Sequence, residues 1–198
     1  YSVARGVKRL RDAFAKKYLD FGIALDSESQ VCVTLGTKDA LLDILMCATS
    51  KGDAVLVGAP TYPAYNFLFK LLGLEVEFFD IVPDEQSMLA QIAQRLVKRS
   101  YGLILLNFPN NPTGLTVTAD FFSQLAEQVR GSRTRIVNDF VYGEMCFDQT
   151  RAASLLDAAH IHPALVETYS LSKAYSVPGW RIGAAVGGLR RRILDHHP

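Results

Sequence analysis

A short apolar strand, a turn and a helical segment recur along the sequence, and this alternation constrains the fold more than any other feature. Strands that alternate with helices favour a mostly parallel sheet with helices packed on its faces. The sequence therefore predicts an α/β three-layer sandwich around a seven-stranded, mostly parallel mixed sheet. The predicted strands span residues 31–34, 54–57, 74–79, 103–106, 135–138, 165–169 and 181–186.

Helical periodicity fills the segments between these strands. Residues 3–18 carry apolar side chains three to four positions apart, which predicts an amphipathic helix before the first strand. Later stripes are interpreted as helix faces that pack in the core. The stripe residues are Leu41, Leu42, Leu45, Met46, Thr49, Phe67, Leu68, Leu71, Leu72, Leu89, Ile92, Ala93, Leu96, Val97, Phe121, Phe122, Leu125, Ala126 and Val129.

Length and charge exclude several classes of protein. A chain of 198 residues suits one domain, and its formal net charge of +1 is spread along the sequence. The only basic cluster, residues 190–192, is interpreted as a solvated helix turn. No apolar stretch is long enough to cross a bilayer, and residues 1–17 do not resemble a signal sequence. We expect a soluble, cytoplasmic protein without a nucleic-acid or membrane partner.

Cysteine and histidine spacing indicates neither a disulfide framework nor a metal site. Cys32, Cys47 and Cys146 are far apart and are expected to be buried, reduced thiols. His196 and His197 are neighbours near the end of the sequence, and adjacent residues there seldom converge on one ion. No metal is predicted.

Two polar loops follow the first two predicted strands. In residues 35–39, Gly36 allows a ligand to approach, and the amides of Thr37 and Lys38 point out of a helix amino terminus. These residues suit a phosphate and also suit an ordinary glycine-initiated helix. In residues 58–65, Tyr62 lies between two prolines, where it could stack on a flat ligand or serve as a packing residue.

Two further loops carry amide and acidic groups. Residues 107–114 contain Asn-Pro twice, which restricts the backbone and suggests an amide donor aimed at a ligand oxygen, or a structural turn. Asp139 ends an apolar strand, and Tyr142 follows three residues later. We expect Asp139 to be half-buried and to need a cationic partner, because an unpaired buried charge costs several kcal/mol. A protonated cofactor nitrogen or an arginine would serve.

Lys173 follows the sixth predicted strand, within a segment that runs from Ser170 to Arg181. Open α/β sheets place their ligands beyond the carboxyl ends of strands. A lysine at that position is either a solvated surface residue or an amine held in a pocket to form a Schiff base.

Taken in order, these blocks resemble the fold-type I, pyridoxal-phosphate-dependent aminotransferases of class I/II. A single block is a weak signal, but their joint order covers almost the whole chain. The blocks are Tyr1 with Gly6, Leu10 and Arg11; Gly36-Thr37-Lys38; Pro60-Thr61-Tyr62; Asn111-Pro112-Thr113-Gly114; Asp139 with Tyr142; and Ser170 through Lys173 to Arg181. The opening block looks closest to the alanine or diaminopimelate-type subgroup.

The resemblance implies a pyridoxal 5'-phosphate cofactor and transfer of an amino group between an α-amino acid and an α-keto acid. Lys173 would hold the cofactor as an internal aldimine and then move a proton between Cα and C4′. Asp139 would keep the pyridine nitrogen protonated. Asn111 and Tyr142 would donate to the phenolic oxygen, and Tyr62 would lie against the ring.

The resemblance also implies a phosphate site and a dimer. The amides of Thr37 and Lys38, the Ser170 hydroxyl and the Arg181 guanidinium would bind the phosphate, with Ser172 in the same loop. In the family, the tyrosine that matches Tyr1 reaches the phosphate of a neighbouring subunit, which predicts a homodimer.

The expected domain organisation follows from the same resemblance. Residues 1–198 would form the cofactor-binding large domain and lack most of the family's small domain. The arginine that binds the substrate carboxylate would be missing with it, so the chain is expected to be a weakly active or inactive portion.

Two other functions fit these motifs. A non-catalytic, aminotransferase-like ligand-sensing domain of a transcription regulator would carry similar blocks. A lyase, decarboxylase or cyclising enzyme of the same fold would share the cofactor chemistry.

Overall fold

The computed structural model describes residues 4–147 and 151–188, whose helices and strands alternate as the sequence predicts. The helices are α1 (Lys8–Asp20), α2 (Thr37–Ala48), α3 (Ala64–Leu72), α4 (Glu85–Lys98), α5 (Ala119–Gln128) and α6 (Leu171–Ala174). The strands are β1 (Val31–Thr34), β2 (Ala54–Ala59), β3 (Glu75–Asp80), β4 (Leu103–Leu106), β5 (Arg135–Asp139), β6 (Leu165–Ser170) and β7 (Gly183–Gly187). Short 3₁₀ helices span Leu155–Ala158 and Pro178–Trp180.

All of these strands join one seven-stranded sheet in the order β1-β7-β6-β5-β4-β2-β3. Strand β7 runs antiparallel to its neighbours β1 and β6, whereas the other neighbouring strands are parallel. The predicted mixed, mostly parallel sheet is therefore confirmed, with every predicted strand within two residues of its observed bounds.

Apolar side chains cover both faces of the sheet. Phe14, Leu89 and Phe121 bring α1, α4 and α5 onto one face. Leu41 and Phe69 bring α2 and α3 onto the opposite face. Burying each such side chain contributes roughly 1.5–3 kcal/mol, so these contacts define the predicted three-layer sandwich.

Some residues predicted to be buried are not. The expectation was wrong for Met46, Phe67, Leu71 and Val97, which are 61%, 67%, 58% and 88% exposed. The arc of a helix that touches the sheet is narrower than the apolar stripe in the sequence, so the outer members of each stripe face away from it.

The cysteines follow the prediction only in part. Cys32 is buried, but Cys47 and Cys146 are half-buried, because each lies at the margin of a core cluster. None of the three forms a disulfide within the described part of the chain.

The strand directions bring several loops to one edge of the sheet. The parallel strands β1, β2, β4, β5 and β6 all end there. Strand β7 runs the opposite way and begins at this edge, just after Arg181. The four predicted loops and the Lys173 segment therefore converge at this edge, which is where open α/β sheets bind their ligands.

Several predictions concern residues outside the described ranges. Tyr1, the basic run 190–192, His196 and His197 all lie there. Within residues 4–147 and 151–188, no helix has both the length and the apolar character needed to span a membrane. The same residues contain no group of three or more acidic, histidine or cysteine side chains arranged to hold a metal.

Candidate functional site

A cavity of about 310 Å³ lies at the carboxyl edge of the sheet. Its lining brings together every residue that the sequence predicted for cofactor binding: Thr37, Lys38, Tyr62, Asn111, Asp139, Tyr142, Ser170, Lys173 and Arg181. It also contains Tyr65, Asn107, Val141, Ser172 and Pro178, to which the sequence assigned no firm role.

Asp139 is the acidic group of this cavity. It is the last residue of β5 and is only 3% exposed. The Tyr65 hydroxyl donates to its Oδ2 at 2.5 Å, and the Thr168 hydroxyl donates to its Oδ1 at 2.9 Å. Burial raises the pKa of Asp139, while these hydroxyls and the Val141 amide act in the opposite direction.

The surroundings of Asp139 differ from the sequence-based expectation. The carboxyl is fully buried rather than half-buried, and among the described residues its partners are hydroxyls and an amide, not an arginine. A buried carboxylate that borders a cavity and has no cationic partner can stabilise a positive charge on a ligand. The chemistry of this position fits a protonated ring nitrogen.

Asn111 is held beside Tyr142 by the loop that follows β4. The Asn107 amide donates to the Asp139 carbonyl at 2.8 Å, and its Oδ1 accepts from the Asn111 backbone amide at 2.9 Å. The Asn111 side chain then donates to the Tyr142 hydroxyl at 3.4 Å. The side chain of Asn107 therefore fixes the Asn111 loop against β5, and an amide and a phenol face the same cavity.

Gly36, Thr37 and Arg181 form the other end of the cavity. Gly36 caps the amino end of α2 with a φ of +96°, and a Cβ there would lie 2.5 Å from Arg181 Nη2. Arg181 donates to the Leu35 carbonyl at 2.9 Å and to the Pro178 carbonyl at 3.1 Å. Only glycine permits this close approach, which places a guanidinium beside the first amides of a helix.

Ser170 and Ser172 complete this polar end. Ser170 ends β6 and caps α6, since its hydroxyl accepts from the Ser172 amide at 3.1 Å. The two hydroxyl oxygens are 2.9 Å apart, and both residues line the cavity. A helix amino end, two hydroxyls and a guanidinium are a donor set that suits a phosphate.

Lys173 lies on α6 and lines the same cavity as Asp139. It is exposed, in contrast to the buried acid. Tyr62 lines the same cavity and meets the Tyr65 ring edge-on, with 5.6 Å between centroids. A flat ligand that reaches from Arg181 to Asp139 would pass both the amine and this aromatic ring.

Three partners at the site were missed by the sequence analysis. Tyr65 lies three residues after Tyr62 in a loop already recognised, and its spacing on the first turn of α3 could have identified it. Asn107 opens the Asn-Pro loop and could have been found in the same way. Thr168 lies inside a strand, and only its pairing with Asp139 in the sheet register reveals its role.

The family model described as "Aminotransferase class I and II" matches residues 1–196. The chain is 36% identical over 194 residues to the L-glutamine–4-(methylsulfanyl)-2-oxobutanoate aminotransferase of Bacillus subtilis (strain 168), covering 94% of the chain and 48% of that protein. It is 32% identical over 191 residues to the glutamate-pyruvate aminotransferase AlaC of Escherichia coli (strain K12), covering 94% of the chain and 46% of that protein.

Solved structures share the fold over the same extent. The substrate-bound BacF structure from Bacillus subtilis aligns with a TM-score of 0.89 at 29% identity, covering 100% of this chain and 51% of that chain. The Escherichia coli protein YbdL, whose structure report identifies a methionine aminotransferase function, aligns with a TM-score of 0.89 at 28% identity, covering 100% and 53%. The chain therefore spans about half the length of the proteins it matches.

Proposed function

The chain belongs to the class I and II aminotransferase family, and from this premise we propose that it binds pyridoxal 5'-phosphate and transfers an amino group between an α-amino acid and an α-keto acid. One observation carries the proposal. The amine of Lys173, the buried acid Asp139 and the polar end at Arg181 border one cavity, although they come from separate parts of the chain.

Each end of this cavity fits one end of the cofactor. The first amides of α2, the Ser170 hydroxyl and the Arg181 guanidinium would hold the phosphate. Asp139 would hold the ring nitrogen in its protonated form. Asn111 and Tyr142 would donate to the phenolic oxygen between these two ends.

The bound cofactor supplies an electron sink for negative charge that develops at the substrate Cα. Lys173 is the base of the site, and its amine would take the proton from Cα and return it at C4′. Asp139 would stabilise the positive ring nitrogen throughout, because the low dielectric around a buried carboxylate strengthens that ion pair. Tyr62 would lie against the ring and help to exclude water.

We further propose that residues 1–198 form the cofactor-binding domain and lack most of a second, smaller domain. The coverage of about half of each relative supports this assignment. The substrates and the full reaction then depend on groups beyond this domain, including the one that binds the substrate carboxylate. A cytoplasmic location stays a prediction, which cell fractionation tests.

Exposed apolar side chains support a homodimer. Phe67 and Leu71 lie one turn apart on α3, and both are more than half exposed. Large apolar groups on one exposed helix face are typical of protein interfaces. Phe67→Glu should shift the sedimenting species from dimer to monomer, whereas Val97→Glu, on the opposite face of the sheet, should not. An unchanged dimer in Phe67→Glu would place the interface elsewhere.

Mixing the protein with pyridoxal 5'-phosphate tests the central proposal. We expect a new visible absorption band, which borohydride reduction should abolish while it fixes the cofactor covalently to the protein, and neither the band nor the covalent attachment should form in Lys173→Ala. Lys70→Ala is the matched control, because Lys70 lies on α3 outside the cavity. A wild-type protein without the band would refute the cofactor, and an unchanged band in Lys173→Ala would refute Lys173 as its attachment point.

Amino acids then separate the remaining alternatives. A transaminase should lose the visible band on addition of an amino acid and regain it on addition of a keto acid. A ligand-sensing domain would bind amino acids without this cycle, and a lyase or decarboxylase would release product without needing a keto acid to restore the band.

A further inference from the structure

Glu167 is a buried acid for which the proposed reaction has no use. It lies in β6, is 0% exposed and does not border the cofactor cavity. In the sheet register it pairs with Asn138, one position before the pair formed by Asp139 and Thr168. Successive strand residues point to opposite faces of the sheet. The Glu167 side chain therefore lies on the face opposite to that of Asp139, which borders the cavity.

Donors from three separate elements converge on this carboxylate. The Tyr18 hydroxyl of α1 and the Ser154 hydroxyl donate to Oε2 at 3.0 Å and 2.8 Å. The Leu155 amide, at the start of a 3₁₀ helix, donates to Oε1 at 2.6 Å, and the Asn138 amide of β5 approaches the same oxygen at 3.5 Å. Every one of these donor groups is itself fully buried.

Asn138 connects Glu167 through hydrogen bonds to the loop that carries Asn111. Its Oδ1 accepts from the Phe108 backbone amide at 2.8 Å, and its Nδ2 donates to the Phe108 carbonyl at 3.0 Å. This two-point contact spans the gap between β4 and β5, where the strand ladder has ended. Only one orientation of the Asn138 side-chain amide forms these contacts. If its oxygen and nitrogen exchanged places, the oxygen would face the Phe108 carbonyl and the Glu167 carboxylate, and the nitrogen would face the Phe108 amide.

We propose that Glu167 is a positioning residue of the cofactor site, which sets the Asn138 amide and so holds the Asn111 loop against β5. The inference rests on the proposed function only in naming what the loop binds. The mechanical part, a buried acceptor that orders the 107–111 loop, stands on the hydrogen bonds that link Glu167, Asn138 and Phe108.

Two substitutions distinguish the hydrogen-bond acceptor of Glu167 from its negative charge. In Glu167→Gln, the amide oxygen can still accept from Leu155 and Asn138, while the new amide group donates to the hydroxyls of Tyr18 and Ser154, which can turn to accept. Glu167→Leu keeps much of the volume but leaves those buried donors without an acceptor. Thr134→Val is the matched control, because Thr134 is also buried and its hydroxyl donates to the Tyr101 carbonyl at the opposite edge of the sheet.

Amide hydrogen exchange of the unliganded protein, followed by NMR, tests the mechanical part. Relative to the Ile104 amide inside β4, we expect Glu167→Leu to speed exchange at Phe108 and Asn111 by about tenfold or more, as a local opening would. Glu167→Gln and Thr134→Val should leave this ratio unchanged. Equal ratios in Glu167→Leu and the wild type would overturn the proposal, whether or not the protein binds a cofactor.

Titration with pyridoxal 5'-phosphate tests the functional part. Glu167→Leu should weaken binding by about tenfold, whereas Glu167→Gln should stay within about threefold of the wild type. Normal affinity in a Glu167→Leu protein with a loosened loop would show that the loop does not position the cofactor. A wild-type protein that does not bind the cofactor would refute the proposed function and leave the exchange result to decide on Glu167.

Should Glu167→Leu fail to fold, Tyr18→Phe removes one donor and keeps the ring. It should raise the Phe108 and Asn111 exchange ratio by a smaller factor, of about two to three. No increase at those two amides would contradict the proposal.

Discussion

Asp139 and Glu167 are fully buried acids on neighbouring strands, one position apart in the register, yet their surroundings differ. Asp139 has two hydroxyl partners and borders a cavity. Glu167 is enclosed by donors from α1, β5 and the start of a 3₁₀ helix. The difference supports the two proposed roles, a ligand-binding acid at Asp139 and a positioning acid at Glu167.

Removing the charge at each acid should give the largest contrast. Asp139→Asn should lower transamination by roughly 10³-fold, because a preorganised charge beside the reacting ring is lost. Glu167→Gln should change it by less than about threefold, because its acceptor contacts survive. Single-turnover rates with an amino acid measure both variants. Similar losses in the two would remove the distinction between a catalytic and a positioning acid.

The pH dependence of stability should show the burial of Glu167. Burial raises the pKa of Glu167 from 4.5 to about 7, while its donors act in the opposite direction. The folded state therefore holds the proton more tightly, so this contribution to stability is complete below about pH 4.5 and is lost as the pH rises to about 7. The full change is about 3 kcal/mol in the free energy of unfolding.

Urea unfolding from pH 4.5 to 8 measures this change. The quantity compared is the difference in the free energy of unfolding between the wild type and Glu167→Gln. Asp139 also has a raised pKa and acts in the same direction, but it is present in both proteins and cancels. Tyr18, whose pKa burial raises well above its usual value, is the ionisable side chain bonded to Glu167 among the described residues, and the Arg151–Asp157 ion pair adjoins its partner Ser154. A difference that does not vary with pH would show that Glu167 titrates as an exposed acid.

Tyr65→Phe should have the smallest effect. It removes one donor from Asp139, which weakens pyridoxal 5'-phosphate binding by about tenfold or less, the net contribution of one typical hydrogen bond. The loss should grow as the pH falls, because the Tyr65 hydroxyl lowers the pKa of Asp139 and its removal favours the protonated acid. Tyr62→Phe, which does not touch Asp139, is the control. Equal losses in both variants would show that the effect does not come from the hydrogen bond between Tyr65 and Asp139.

Local patterns in the sequence predicted much of the fold and the site. The strands and the loops at their ends follow from short-range apolar runs and from glycine and proline positions, and the structure places all of the predicted cofactor residues on one cavity. The helical periodicity of apolar residues predicted the burial of side chains less reliably. It could not show that Phe67 and Leu71 face outward, because a stripe records an apolar face and not what covers it.

The sequence by itself determined the alternating strands and helices, the polar loops and the positions of Lys173 and Asp139 at strand ends. Only the tertiary structure decided which groups surround each acid. Tyr65 and Thr168 meet Asp139, and Tyr18 and Ser154 meet Glu167, through contacts between residues far apart in the chain. Such contacts depend on strand order and register, which are set by packing of the whole sheet and leave no short-range pattern in the sequence.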